Sequence, residues 1–247
     1  MKIVVFGGTS EGRKLSRLLA EAGAAVTVCV ATEYGDEEQG EYPGVSTRIG
    51  AMRAEEKAEL LRDAAVCVDA THPYAAHISA SVKAACVEAG VEYLRLLRPP
   101  CEAENAVVFE NAGAAAHYLK AREGRILLTT GAKVLASFAD LDPARLYPRI
   151  LPNHESISAC EALHIPHRNI IAMQGPFSRE MNAAMIRQFG VSFLVTKDGG
   201  APGGFPEKAA AAAETGVQLL VLRRPEDDGL SFEEVSNRCI TRLRAAK

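Results

Sequence analysis

The 247-residue chain lacks the features that mark most specialised classes. No apolar run reaches the length of about 18 residues that a membrane-spanning helix needs, so no membrane segment is expected. Charge of one sign is also missing. The 28 Lys/Arg and 31 Asp/Glu leave a net of -3, and a surface so near neutral suits a phosphate backbone poorly, so nucleic acid is not expected as a partner. Cys29, Cys67, Cys86, Cys101, Cys160 and Cys239 form no Cys-x-x-Cys, and no His-Glu-x-x-His occurs, so no metal site is signalled. Reduced thiols in a cytoplasmic protein are the expectation. The absence of GxSxG argues against an α/β-hydrolase, and that of GxxxxGK[ST] against a P-loop nucleotidase. The opening MKIVVFGGTS reads as a strand and a turn rather than a signal peptide.

What is present is a 48% hydrophobic chain, long enough for one large α/β domain or two small ones. Short apolar runs alternate with helical stretches, which predicts right-handed crossovers and mainly parallel sheets. The first series has strands over 2–6, 25–30, 65–69 and 92–96, and helices over 10–22, 53–62 and 73–89. Leu15, Leu18, Leu19 and Ala22 form one apolar stripe on its first helix. The acids Asp36, Glu37, Glu38 and Glu41 read as a solvated loop. Arg98-Pro99-Pro100 forces extended backbone and suits a hinge, giving domains 1–98 and 99–247. The second series has strands over 125–129, 146–150, 170–174, 192–197 and 218–223, and helices over 112–121, 132–138, 156–163, 179–189, 207–215 and 232–246.

Chemistry is expected at the carboxyl ends of the strands, where parallel sheets bind ligands. The first strand ends in Gly7-Gly8-Thr9-Ser10-Glu11-Gly12-Arg13. Glycine there lets backbone approach a diphosphate, and the N–H groups of the following helix face an anion. Ser10 is the expected helix cap; a βα turn without a ligand is the alternative. After the second strand, Thr32-Glu33 puts an acid about 20 residues past the glycine turn, where an acid can accept from a ribose diol and favour NADH; an ordinary loop acid is the alternative. Arg13 and Lys14 offer charge for NADPH instead. Asp69-Ala70-Thr71-His72-Pro73-Tyr74 follows the third strand, with Pro73 at a helix start, Asp69 and Thr71 beside the cofactor, and His72 and Tyr74 as candidate proton donors.

The second series repeats this pattern. Thr129-Thr130-Gly131-Ala132-Lys133, Gln174-Gly175-Pro176, Lys197-Asp198-Gly199-Gly200 and Gly203-Gly204-Phe205-Pro206-Glu207-Lys208 each set glycine and polar residues after a strand. Lys133, Lys197 and Arg149 together point to an anionic substrate. His77, His117, His154, His164 and His167 have no partner spacing for a metal or a triad.

Taken together, GGTSEGR at 7–13, VATEYG at 30–35, DATHPYA at 69–75, RLLRP at 95–99, LLTTGAK at 127–133, AMQGPFS at 172–178 and TKDGGAPGGFPEK at 196–208 resemble the precorrin-6A reductase family, on its cobalt-precorrin-6A branch. The resemblance runs over essentially the whole chain. It implies two Rossmann-like domains with a cleft between them, and a cytoplasmic oxidoreductase of cobalamin biosynthesis. It implies reduction of one double bond of the tetrapyrrole macrocycle, in precorrin-6A or its cobalt form, with hydride from NADPH or NADH. On it Gly7 to Arg13, Thr32, Glu33, Asp69 and Thr71 hold the cofactor. Arg98, Thr130, Gly131, Lys133, Arg149, Gly175, Pro176, Lys197, Gly199, Gly203, Gly204 and Lys208 hold the substrate. His72, Tyr74 and Lys197 are the candidate catalytic residues, equally placed simply to hold carboxylates or the nicotinamide. Gly200 departs from the family, where a serine is expected. A nucleotide-sensing binding protein without turnover is the alternative from another class.

Overall fold

The computed structural model describes residues 1–98, 101 and 103–245. The chain divides into two compact units, Met1–Pro99 with Pro225–Lys247, and Pro100–Arg224.

The first unit runs β1 (Lys2–Phe6), α1 (Ser10–Glu21), β2 (Ala25–Val30), α2 (Glu33–Gln39), β3 (Val45–Ile49), α3 (Ala54–Leu61), β4 (Val66–Asp69), α4 (Ala76–Ala89) and β5 (Glu92–Arg95). Its sheet is parallel throughout, in the order β3-β2-β1-β4-β5. Strand order reverses at β1, so the carboxyl ends of β1 and β4 flank the crevice where such sheets bind ligands. Ile3, Val4 and Val5 are fully buried, as expected for a central strand covered on both faces.

The second unit runs β6 (Val107–Phe109), α5 (Ala112–Lys120), β7 (Arg125–Leu128), β8 (Leu146–Ile150), α6 (His154–Glu161), β9 (Ile171–Ala172), α7 (Arg179–Phe189), β10 (Val191–Lys197), α8 (Phe205–Thr215) and β11 (Gln218–Leu222). These strands are also all parallel, ordered β6-β11-β10-β7-β8-β9, and the order reverses between β7 and β10.

The last helix, α9 (Phe232–Ala245), corrects the division at residue 99. Its buried Val235, Cys239 and Leu243 recur every four residues and join Ile3, Val5, Leu15 and Leu19 in the first unit's core. An amphipathic helix goes where its stripe is covered, whatever its place in the sequence. The expected hinge at Pro99-Pro100 lies outside the described residues.

Four local expectations also change. Asp36, Glu37 and Glu38 lie on α2, with Glu41 beyond its end, because Thr32 caps that helix by accepting from the Gly35 N–H and acids favour a helix's first turn. β3 carries no apolar alternation to reveal it: Ser46, Thr47, Arg48 and Ile49 are exposed on a sheet edge. α4 starts at Ala76, since residues 72–75 form a turn closed by the Ala75 N–H on the His72 carbonyl. Residues 132–138 wind as a 3-10 helix.

Candidate functional site

The glycine turn is shaped by close packing on one side and openness on the other. A Cβ on Gly7 would lie 2.8 Å from Val28, and one on Gly12 would lie 3.0 Å from the Ala70 methyl. Gly8 has φ +98°, and a Cβ there would meet nothing within 4 Å. Backbone is thus exposed to an approaching group at the residue where side chains are disfavoured. Thr9, not Ser10, caps α1: its Oγ1 accepts from the Gly12 N–H at 3.1 Å and donates to the Ala70 carbonyl at 2.7 Å. The threonine wins because one hydroxyl ties the turn to both the helix and the end of β4. Ser10 turns instead to Glu11.

Glu11 and Arg98 form a bidentate pair, Nε to Oε1 at 2.7 Å and Nη2 to Oε2 at 2.5 Å. Burial pushes the Glu11 carboxyl up, but the hydrogen bonds and charge of Arg98 outweigh it and leave it lowered. Thr9, Glu11, Thr71, Pro73 and Arg98 line one small cleft. Glu33 is exposed at the start of α2, directly after β2. Arg13 donates to the Glu38 carbonyl and lies 3.5 Å from its carboxylate, while the Lys14 ammonium sits 4.9 Å from the Phe232 ring centre.

Asp69 is fully buried, and its carboxylate faces protein rather than the crevice. Oδ1 accepts from the Thr71 N–H and hydroxyl and from Arg95, and Oδ2 accepts from the Tyr93 hydroxyl at 2.8 Å. It shapes the turn that presents Thr71, His72 and Tyr74. The His72 ring is exposed, its Nδ1 accepts from the Tyr74 N–H at 3.3 Å, and the two rings lie 5.6 Å apart.

In the second unit the ends of β7 and β10 sit side by side, since the Thr129 hydroxyl donates to the Val195 carbonyl. Thr130 follows, buried, with its hydroxyl unpartnered among the described residues. Gly131 has φ +75° with open space at its Cβ position. Lys133 is exposed and Lys197 half-buried, with burial first and Lys133 second lowering the Lys197 pKa. Asp198 accepts from the Gly200 N–H at 3.0 Å and pairs with Arg224 at 3.2 Å, which ties down the loop carrying Gly199.

Arg149 is buried beside α7. It donates to Asn182 at 2.7 Å and stacks 4.1 Å from the Phe177 ring centre, where burial lowers its pKa to about 10. Lys208 donates to the Gly203 carbonyl at 2.8 Å, and Gly204 has the Glu207 carboxylate near its Cβ position. Burial, then Arg149, lowers the Lys208 pKa to about 8. Gly175 and Pro176 are joined by a cis peptide next to Phe177.

Reading the sequence assigns no role to Tyr93, Arg95, Asp198 or Asp227. The signal for Arg95 is a charge inside the apolar run Leu94-Arg95-Leu96, which a buried strand tolerates only when the charge is paired.

Comparison with known proteins agrees with this geometry. The family model described as precorrin-6x reductase CbiJ/CobK matches residues 2–240. A cobalt-precorrin-6A reductase of Methanothermobacter thermautotrophicus is 35% identical, over 92% of this chain and 77% of its own. That of Priestia megaterium is 32% identical, over 98% of this chain and 100% of its own. A solved CobK precorrin-6A reductase superposes with a TM-score of 0.76 at 23% identity, covering 96% of both chains, and so has the same fold. With two parallel sheets, an open glycine turn and matches along nearly its whole length, the chain belongs to the precorrin-6x reductase family.

Proposed function

We propose that this protein reduces one double bond of the precorrin-6A macrocycle, cobalt-free or cobalt-bound, to the corresponding precorrin-6B, as a cytoplasmic step of cobalamin biosynthesis. A reductase of this family implies a nicotinamide cofactor in general. The observation that carries the reading is the open face at Gly8, where a Cβ would meet nothing within 4 Å, at the switch point of a β3-β2-β1-β4-β5 sheet.

The residues fit a dinucleotide. Gly8 and the N–H groups that open α1 receive the diphosphate, and Arg98 neutralises the Glu11 carboxylate that would otherwise repel it. Glu33 takes the ribose diol. Arg13 and Lys14 are already engaged, with Glu38 and Phe232, which favours NADH over NADPH. When bound, the cofactor supplies the hydride. Thr71, His72 and Tyr74 orient its reactive end.

In the second unit Lys133, Arg149, Lys197 and Lys208 hold the macrocycle's carboxylates, and the Thr130 hydroxyl, unpartnered among the described residues, awaits a ligand oxygen. Arg98 and the glycines at 131, 175, 199, 203 and 204, with Pro176, complete the substrate contacts. Water protonates the carbon next to the reduced one, so no single side chain among His72, Tyr74, Lys133 and Lys197 is indispensable as an acid.

The test is a steady-state assay that crosses NADH and NADPH with cobalt-free and cobalt-bound precorrin-6A. Oxidation of the cofactor with a spectral change of the macrocycle is the expected result, with kcat/KM higher for NADH. Binding without turnover would instead make this a nucleotide sensor, and a preference for NADPH would remove Glu33 from the ribose.

A further inference from the structure

Arg95 is an arginine at the end of a buried strand, 3% exposed, and both its Nε and its Nη1 are engaged. Nη1 donates to the Asp69 carbonyl at 3.2 Å, to Asp69 Oδ1 at 3.1 Å and to the Thr71 carbonyl at 3.0 Å. Nε donates to Asp227 Oδ2 at 2.5 Å. One planar group therefore fixes the backbone at both ends of the Asp69–Thr71 turn from beneath. It is itself aimed by a carboxylate 132 residues away in sequence.

The segment that brings Asp227 is seated closely. The Leu97 N–H donates to the Leu230 carbonyl and the Leu230 N–H to the Arg95 carbonyl, both at 2.8 Å. A Cβ on Gly229 would lie 2.8 Å from Arg95 Cγ and 2.6 Å from Leu97 Cγ, so only glycine allows this approach.

The Asp69 oxygens are taken by Thr71, Tyr93 and Arg95. Asp69 thus serves as the seat of the turn. The face turned to the crevice is that of Thr71, which lines the small cleft with Thr9, Glu11 and Arg98.

We propose that Arg95, aimed by Asp227, is a positioning residue for the reduction: it holds the turn from Asp69 to Tyr74 in the geometry that Thr71, His72 and Tyr74 need to orient the cofactor's reactive end. This rests on the function proposed above. A fork is required, because Nη1 takes the two carbonyls and Asp69 while Nε takes Asp227, and a lysine's single ammonium cannot stand at both places at once. A misplacement of about 1 Å at a reacting group can cost about a hundredfold in rate. The diphosphate, by contrast, is gripped at Gly8 and α1, which meet this turn at Ala70 rather than at the Asp69 and Thr71 carbonyls that Arg95 holds. The signature is therefore a fall in kcat with dinucleotide affinity preserved.

The test compares the full-length wild type with Arg95→Lys and Asp227→Asn. Measured are NADH dissociation constant, kcat with precorrin-6A, urea unfolding, and amide exchange at residues 71–75. Both variants should bind NADH within about threefold of wild type, while kcat falls about thirtyfold for Arg95→Lys and about fivefold for Asp227→Asn. Exchange at residues 71–75 should quicken in both. Unchanged kcat in a folded variant overturns the proposal, as does a loss of NADH affinity that matches the loss of kcat. If Arg95→Lys does not fold, Asp227→Asn decides alone by the same criteria. A wild type that binds neither NADH nor NADPH and turns over neither the cobalt-free nor the cobalt-bound macrocycle would refute the proposed function. Unchanged exchange at 71–75 in the variants would refute the positioning role separately.

Discussion

Replacing Gly8 separates backbone strain from electrostatics at the open face of the glycine turn. Gly8 has φ +98°, where an L-residue is strained by about 1–3 kcal/mol. Nothing lies within 4 Å of the Cβ position, so Gly8→Ala and Gly8→Asp carry that strain alike and neither adds a clash. Both should lose about 1–3 kcal/mol of stability in urea titration. They differ in charge. A carboxylate about 5 Å from a phosphate charge interacts by about 3 kcal/mol at an effective dielectric of about 20. Solvent and salt reduce this at an open crevice, and 1.4 kcal/mol or more should survive, about tenfold in affinity. Calorimetric titration of NADH should therefore give Gly8→Asp a dissociation constant at least about tenfold above that of Gly8→Ala, the gap closing as salt rises. Equal affinities for the two folded variants would mean that the phosphates do not approach this face.

Arg98→Met should weaken NADH binding by about tenfold, because it leaves the Glu11 carboxylate unneutralised beside the turn. Glu11→Gln in the same chain should restore part of it, and a double-mutant cycle without coupling would refute the pairing. Lys208, with its pKa lowered to about 8 by burial and Arg149, loses its charge above that pH, so KM for the macrocycle should rise there; Lys208→Met should flatten the profile. From about pH 8 to 10.5 the unfolded chain binds the more proton, so stability should rise with pH over that window through this lysine, and urea titrations of Lys208→Met should lack the rise. Leu243→Ala should destabilise the first unit by about 2–5 kcal/mol, since Leu243 is 4% exposed in its core, and a change below 0.5 kcal/mol would contradict the packing.

The alternation of elements was legible because local pattern carries it. β1, β2, β8 and α7 fall where apolar runs and glycine caps place them. β3 was not, because an exposed edge strand has little apolar pattern to show. Nor was the destination of α9, because an apolar stripe does not name the surface that covers it. At the site, the glycine turn could be read from its sequence, but its cap falls on Thr9 rather than on Ser10. Asp69 was read as a cofactor contact, and its engagement by Thr71, Tyr93 and Arg95 turns it inward. A sequence shows that a carboxylate stands at a strand end; its partner on β5 and the partner's own partner at Asp227 are properties of the assembled sheet.

The return of α9 to the first sheet also sets a timetable for synthesis. All five strands of that sheet have been made once residue 95 is added, yet Val235, Cys239 and Leu243 come only at the end. At about 5–20 residues per second, ribosomes take roughly 8–30 s to make the intervening stretch. Throughout that interval the face of Ile3, Val5, Leu15 and Leu19 lacks its last cover, while the unit from Pro100 to Arg224 has its whole sequence in hand before α9 exists. The inserted unit is thus free to fold first and the enclosing unit last, so the earlier-made half of the chain is the half exposed to chaperones and proteases.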